Sequence, residues 1–152
     1  MNSIRFKIKD ECRQNLCKYL SQAISVLPPF EKPTILDMGC GTGVPTLTLA
    51  KYYNGVILAI DTDKEALDCI ISKLTTQVVS SNIIVECRSA NEIEFPLQNF
   101  DIVLAEGLLN IIGFENGLRL VSRYLKQNGF FIIHDEYKNH SAKLEVIKSN
   151  GY

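Results

Sequence analysis

Apolar residues along this 152-residue chain fall into two patterns that alternate: short unbroken runs, and longer stretches stepped by three and four. The runs are Thr34–Asp37, Val56–Ile60, Ile83–Glu86, Asp101–Ala105 and Phe130–Ile133. Each is strand-length and apolar on both faces, which predicts strands covered on both sides. The stepped stretches predict helices. Cys12, Leu16, Leu20, Ala23, Ile24 and Leu27 mark one face of a helix over residues 10–27, stopped by Pro28-Pro29. Pro45 suits the first turn of a second helix, which runs to about Tyr53 and ends at Asn54-Gly55. Leu67, Ile70, Ile71, Leu74 and Val78 form the buried stripe of a third, opened by a capping box from Thr62 to Glu65. Leu118, Val121 and Leu125 face inward from a fourth, closed by a left-handed cap at Asn128-Gly129. Ser141–Ser149 is a last short helix.

Strands alternating with helices predict one α/β domain: a doubly wound, mainly parallel sheet with helices on both faces. Residues 1–29 would be an N-terminal helical cap and residues 30–152 the α/β core. In such a fold the ligand sits outside the carboxyl ends of the strands, where the strand order reverses. Gly39–Gly43, Asp61 and the segments after Val85 and Leu104 lie at that edge.

Composition narrows the partners. The chain is 46% hydrophobic and 22% charged, with net charge −1. That balance suits a soluble folded domain and supplies no broad basic field for nucleic acid or anionic membrane. The basic N-terminal residues Arg5, Lys7, Lys9, Arg13 and Lys18 lead into no apolar core, so no secretory signal is read there. No apolar run approaches the ~18 residues of a membrane span. Cys12, Cys17, Cys40, Cys69 and Cys87 include no Cys-x-x-Cys pair, and His134 and His140 are the only imidazoles. No metal site is predicted. The cysteines are expected to be reduced thiols acting as small core residues, in a cytoplasmic protein.

The chemistry concentrates in I-L-D-M-G-C-G-T-G-V-P-T-L, residues 35–47. A dinucleotide fingerprint requires Gly-x-Gly-x-x-Gly and an acid about twenty residues on. Asp61 meets the second condition, but Val44 and Thr46 stand where the third glycine would be. Asp37 is the stronger objection. A carboxylate ~4 Å from a phosphate would be repelled by on the order of 1 to 4 kcal/mol, whereas an ammonium would be attracted by as much. The loop therefore suits a ligand with a ribose for Asp61 and an amine for Asp37.

The stretch Ile35–Ala50, I-L-D-M-G-C-G-T-G-V-P-T-L-T-L-A, resembles the first motif of class I S-adenosylmethionine-dependent methyltransferases. The likeness continues through V-I-L-A-I-D (56–61), R-S-A-N-E-I-E-F-P (88–96), F-D-I-V-L-A-E-G (100–107) and Y-L-K-Q-N-G-F-F-I-I (124–133), covering roughly residues 30 to 135. The resemblance implies a Rossmann-like methyltransferase fold, with S-adenosylmethionine as cofactor and S-adenosylhomocysteine as product. It implies that Asp37 faces the methionine amino group, directly or through water. Gly39, Cys40 and Gly41, in the loop that Gly43 completes, would bring backbone close to the methionine and ribose. Asp61 would accept from both ribose hydroxyls, and Thr62 would lie against the adenine. Many relatives carry Asp-Ala where this chain has Ser89-Ala90. Ser89 can still accept a hydrogen bond, and the N–H of Ala90 or Asn91 could meet a ring nitrogen. Glu106 is implied near the methionine end or the acceptor.

Methyl transfer from a sulfonium is an in-line displacement that depends on positioning, and a general base is needed only for a protonated nucleophile. No catalytic residue is assigned. His134, Asp135, Glu136 and Tyr137 are the candidate bases, Leu108–Phe114 a candidate pocket wall, and the N-terminal helix a candidate cover. The expected acceptor is a small molecule. Relatives usually add two further strands as an antiparallel edge, and these are expected to be missing here. The bared edge would then invite a homodimer or a partner subunit. Two other readings stand beside methyl transfer: a non-catalytic cofactor-binding module that needs a partner, and a nicotinamide-dependent oxidoreductase resting on Asp61 and the fold.

Overall fold

The computed structural model describes residues 4–76 and 82–152. Its sheet has five parallel strands in the order β3-β2-β1-β4-β5: β1 Thr34–Met38, β2 Val56–Asp61, β3 Ile83–Cys87, β4 Phe100–Glu106 and β5 Leu125–His134. The chain moves outward from β1 through β2 to β3, then crosses to the other side of β1 for β4 and β5. The order reverses between β1 and β4, the position where a crevice opens in doubly wound folds.

Alternation along the central strands sorts side chains between two layers. Leu36 and Met38 of β1 join Ile60, Val103 and Ala105 in a cluster with Val121 and Tyr124. Those two belong to α5, Phe114–Tyr124, on one face of the sheet. Ile35, Ile57, Ile102 and Leu104 point the other way. They meet Leu20 and Ile24 of α1 (Ile4–Ser25) and Leu49 of α2 (Val44–Tyr52). On that second face Ala59 also packs with Leu67 and Ile70 of α3, Lys64–Thr76. Helices cover both faces, as the sequence predicts.

Several boundaries move. The first helix already includes Ile4 rather than starting near residue 10, because Phe6 finds a buried seat against Ala66 and Cys69 of α3. Cys12, assigned to its apolar face, is exposed, and so is Cys87, whereas Cys40 and Cys69 are buried. The capping box at Thr62 does not form. Asp63 opens α3 instead, its Oδ1 accepting the Ala66 N–H at 3.2 Å. Ile71 turns to solvent, and Val78 lies outside the described residues.

The fourth predicted helix ends at Tyr124, four residues before its expected cap. Leu125 turns extended while its N–H still closes the last turn on Val121, and the Tyr124 hydroxyl donates to the Ile93 carbonyl at 2.6 Å. Asn128 does take a left-handed φ of 65°, but within the irregular start of β5, where the pairing with β4 slips between Phe100 and Ile102. The apolar stretch after β4 folds into a short helix, α4 Leu109–Ile112, and α6 spans His140–Ser149. Among the described residues no helix is long and apolar enough to cross a membrane.

Candidate functional site

Strand alternation also determines where the acids go. Asp37 shares a face with Ile35, Asp61 with Ile57 and Ala59, and Glu106 with Ile102 and Leu104. Asp37 is level with Ala59 and Leu104 in the two ladders, so Asp61 and Glu106 lie two residues further along, one on each side. Three neighbouring strands thus direct three carboxylates toward one layer at the switch point. A cavity of about 470 Å³ opens there, within the range of small-molecule sites.

The glycine loop forms its floor. Gly39 and Cys40 both donate backbone N–H to the Ile60 carbonyl, at 2.9 and 3.0 Å, which ties the end of β1 to the end of β2. The Gly41 N–H donates to Asp61 Oδ2 at 2.8 Å, and the Asp63 N–H to Asp61 Oδ1 at 2.8 Å. Asp61 therefore works first as the staple of two loops. At Gly41 a Cβ would meet nothing within 4 Å, so a side chain there would stand in the cavity. Gly43 has a different duty. With φ of 84°, it brings the start of α2 so close to α3 that a Cβ would lie 2.3 Å from Ile70 Cδ1. The close approach that a dinucleotide loop obtains from its third glycine is made here against a helix rather than a strand.

Asp37 is 1% exposed and does not line the cavity; it lies behind the loop, accepting from the Thr46 hydroxyl of α2 at 2.6 Å. Burial pushes its carboxyl up to about 7, against the Thr46 hydrogen bond, with Glu106 and Asp61 adding repulsion and Arg13 relieving part of it. The same burial, together with Asp37 and Asp61, pushes the Cys40 thiol well above its ordinary range. A thiol held protonated is no nucleophile at neutral pH.

Gly39, Cys40, Gly41, Asp61, Thr62, Ser89, Ala90, Asn91 and Glu106 all border the cavity, and Asp37 and Gly43 stand outside it. Ser89 is already engaged: its hydroxyl caps the single turn Ala90–Glu92 by accepting the Asn91 N–H at 3.3 Å. Leu108, Ile111 and Ile112 supply an apolar wall, while Leu109 turns into the core. The candidate bases lead elsewhere. His134 Nδ1 is 3.7 Å from Glu106 Oε1, Asp135 is paired with Lys143 at 2.7 Å, and the Tyr137 ring stacks on His140 in solvent. None of them borders the cavity.

The wall also holds residues that motif reading passes over: Lys9 and Arg13 from α1, and Asp63 and Arg88 from the loops after β2 and β3. Lys9 and Arg13 stand one turn apart and so share a helix face. A helix scanned for polar residues at that spacing, as well as apolar ones, would have revealed them.

A parallel sheet whose strand order reverses at a glycine loop, with an acid closing the next strand, defines a Rossmann-like α/β domain. The chain belongs to the methyltransferase-domain family, matched over residues 35–129, within the class I S-adenosylmethionine-dependent methyltransferases. It is 27% identical over 118 residues to the ribosomal protein L11 methyltransferase of Thermosipho melanesiensis, covering 78% of this chain and 40% of that one. It is 32% identical over 97 residues to the demethylmenaquinone methyltransferase of Lactobacillus johnsonii, covering 62% and 40%. The fold matches a SAM-dependent methyltransferase from Aquifex aeolicus with a TM-score of 0.71 at 20% identity, over 86% of this chain and 78% of that one. The chain spans about 40% of the length of the two curated relatives.

Proposed function

We propose that this chain binds S-adenosylmethionine in the cavity above Gly41 and transfers its methyl group to a small-molecule acceptor. The observation that carries the reading is the concentration of Asp37, Asp61 and Glu106 at one switch point beside a backbone cradle open at Gly41. The carboxylates at the strand ends suit an ammonium there and oppose at that point the diphosphate that the nicotinamide reading requires. Asp61 would take the ribose, Thr62, Ala90 and Asn91 the base, and Glu106 the charged tail.

The bound cofactor supplies a methyl group already activated by its sulfonium. The protein's share is to hold the acceptor in line and keep water away. Leu108, Ile111 and Ile112 offer an apolar surface for that acceptor. With Cys40 held as a thiol and none of the candidate bases bordering the cavity, the acceptor atom is expected to bring its own nucleophilicity. A nitrogen, sulfur or stabilised carbanion fits better than an unactivated hydroxyl.

Calorimetry with S-adenosylhomocysteine tests the first half. Saturable binding is expected, and no heat at high micromolar ligand from well-folded protein would overturn the reading. A screen of small acceptors with radiolabelled cofactor tests the second. Binding without transfer, with turnover appearing once a second polypeptide is added, would favour the module that needs a partner.

A further inference from the structure

The charged side chains that border the cavity are Lys9, Arg13, Asp61, Asp63, Arg88 and Glu106. All but one have partners within the protein. Arg13 pairs with Glu106 at 2.6 Å, Arg88 with Glu86 at 3.1 Å and Asp63 with Arg5 at 3.1 Å, while Asp61 accepts two backbone N–H groups. Lys9 is the exception. Among the described residues its ammonium meets no carboxylate and donates no hydrogen bond. It lies 5.9 Å from the centroid of the Phe6 ring, at the outer limit of a cation–π contact.

Helix spacing places that charge. Arg5, Lys9 and Arg13 recur at every fourth residue of α1 and form one stripe. The outer two are anchored to acids at opposite ends of the cavity, Asp63 after β2 and Glu106 at the end of β4, and Lys9 is held between them. Arg13 Nη2 also lies 3.1 Å from where a Cβ on Gly107 would be, so α1 approaches the chain just before Leu108, where the apolar wall begins. Ile111 on that wall is 81% exposed. A positive charge without a partner and an apolar surface without a cover thus border one opening. S-adenosylmethionine would bring a sulfonium into the same cavity, with its charged tail a helical turn away at Glu106. Two cations in one cavity repel, and an anionic group on the acceptor would relieve both.

We propose that the methyl acceptor is a small carboxylic acid with an apolar body, its carboxylate held by Lys9 and its body laid against Leu108, Ile111 and Ile112. The inference rests on the S-adenosylmethionine reading and names the class of molecule that receives the methyl group. The carboxylate serves as the anchor, and the nucleophilic atom lies elsewhere on the acceptor. Lys9 therefore determines specificity and takes no proton.

The test titrates benzoate, phenylacetate, cinnamate and hexanoate against their uncharged primary amides by ligand-observed NMR, on protein saturated with S-adenosylhomocysteine. At least one carboxylate should bind about 3- to 10-fold more tightly than its amide, the modest gain of a partly exposed ion pair, and the preference should shrink as salt rises. Lys9→Met should abolish the preference and leave amide binding unchanged, while Lys9→Arg should keep it. Lys9 is exposed, so neither replacement disturbs a packed core. Calorimetry with S-adenosylhomocysteine on the same variants separates the two readings. Lys9→Met should hold that affinity within about twofold. A larger loss would assign Lys9 to the cofactor and overturn the proposal, leaving the cofactor reading intact. Carboxylates and amides that bind alike, no binding by either, or a preference that survives Lys9→Met would also overturn it. A wild type that does not bind S-adenosylhomocysteine would overturn both.

Discussion

The two ends of the cavity treat their acids in opposite ways. At the end of β2, both oxygens of Asp61 are occupied by backbone N–H groups, and its work is to staple the glycine loop to the turn that opens α3. At the ends of β1 and β4, Asp37 and Glu106 are both buried and repel one another. Asp37 has one hydroxyl donor from the protein, and Glu106 has Arg13. One acid is satisfied before any ligand arrives. Asp37 carries a cost of burial that a bound cation would offset, and Glu106 is held by a cation already. The first end holds shape and the second holds charge, and substitutions that remove charge should have opposite effects at the two.

The largest effect is expected from Asp61→Asn. An asparagine has one carbonyl oxygen, so either the Gly41 or the Asp63 N–H must face its NH2 group, donor against donor. Leaving one such group unsatisfied costs about 1–3 kcal/mol, read as a fall in the urea midpoint of the ligand-free protein. S-adenosylhomocysteine affinity should fall with it, because the loop shifts along with the acid. Full stability in this variant would mean that Asp61 does not hold the loops, and the contrast between the two ends would lose one side.

Asp37→Asn should do the reverse. The carboxyl ordinarily titrates near 3.8 and is pushed up to about 7 in the fold, burial being the main cause. Below about pH 4 folded and unfolded chains both hold the proton, and the group costs nothing. As pH rises from there to about 7 the unfolded chain releases its proton while the folded one keeps it, and stability falls; above 7 this contribution is flat. Asparagine cannot ionise, yet its carbonyl still accepts from Thr46. At pH 8 the variant should melt higher than the wild type by on the order of 5 °C, with the gap closing toward pH 4. Its affinity for S-adenosylhomocysteine should drop at the same time. A lower melting point across the whole range would mean that the carboxylate is compensated within the protein, and the charged end would be no different from the stapled one.

Much of this site could be read from the strand endings alone. I-L-D, V-I-L-A-I-D and D-I-V-L-A-E each place an acid at the ligand edge, and two-residue alternation directs all three acids to one layer once the ladders are aligned. The alignment is what the sequence leaves open. Without it Asp37 reads as level with the other two acids, whereas it sits two residues short of them along the strands, level with Ala59 and Leu104, its oxygen turned to Thr46. The α1 contribution was hidden for a different reason. Its apolar stripe indicates which face packs on the core, while Lys9 and Arg13 lie on a flank whose partner, Glu106, is 93 residues away from Arg13 in the chain. The short α5 follows from Leu125, whose apolar side chain continues the helical pattern but is recruited into β5 beside Phe100.

The smallest predicted effect lies at the shape-holding end. Ser89 stands where many relatives carry an acid, and here its hydroxyl caps the turn Ala90–Glu92 with a 3.3 Å contact to the Asn91 N–H. Aspartate is an equally good cap, so Ser89→Asp should fold as well as the wild type. Its second oxygen would be free to accept from an exocyclic amine, adding one charge-assisted hydrogen bond at a half-buried position. S-adenosylhomocysteine should then bind more tightly by up to about tenfold, and an inosine analogue lacking that amine should gain nothing. Arg88, the preceding residue on the cavity wall, sets the limit on the gain: it already pairs with Glu86 at 3.1 Å and would compete for the new carboxylate. If both analogues gained equally, the added charge would be acting on the cavity as a whole, and the base would have to be recognised by backbone at Ala90 and Asn91 alone. The β2–β3 side would then read the ligand by shape without any charged contact.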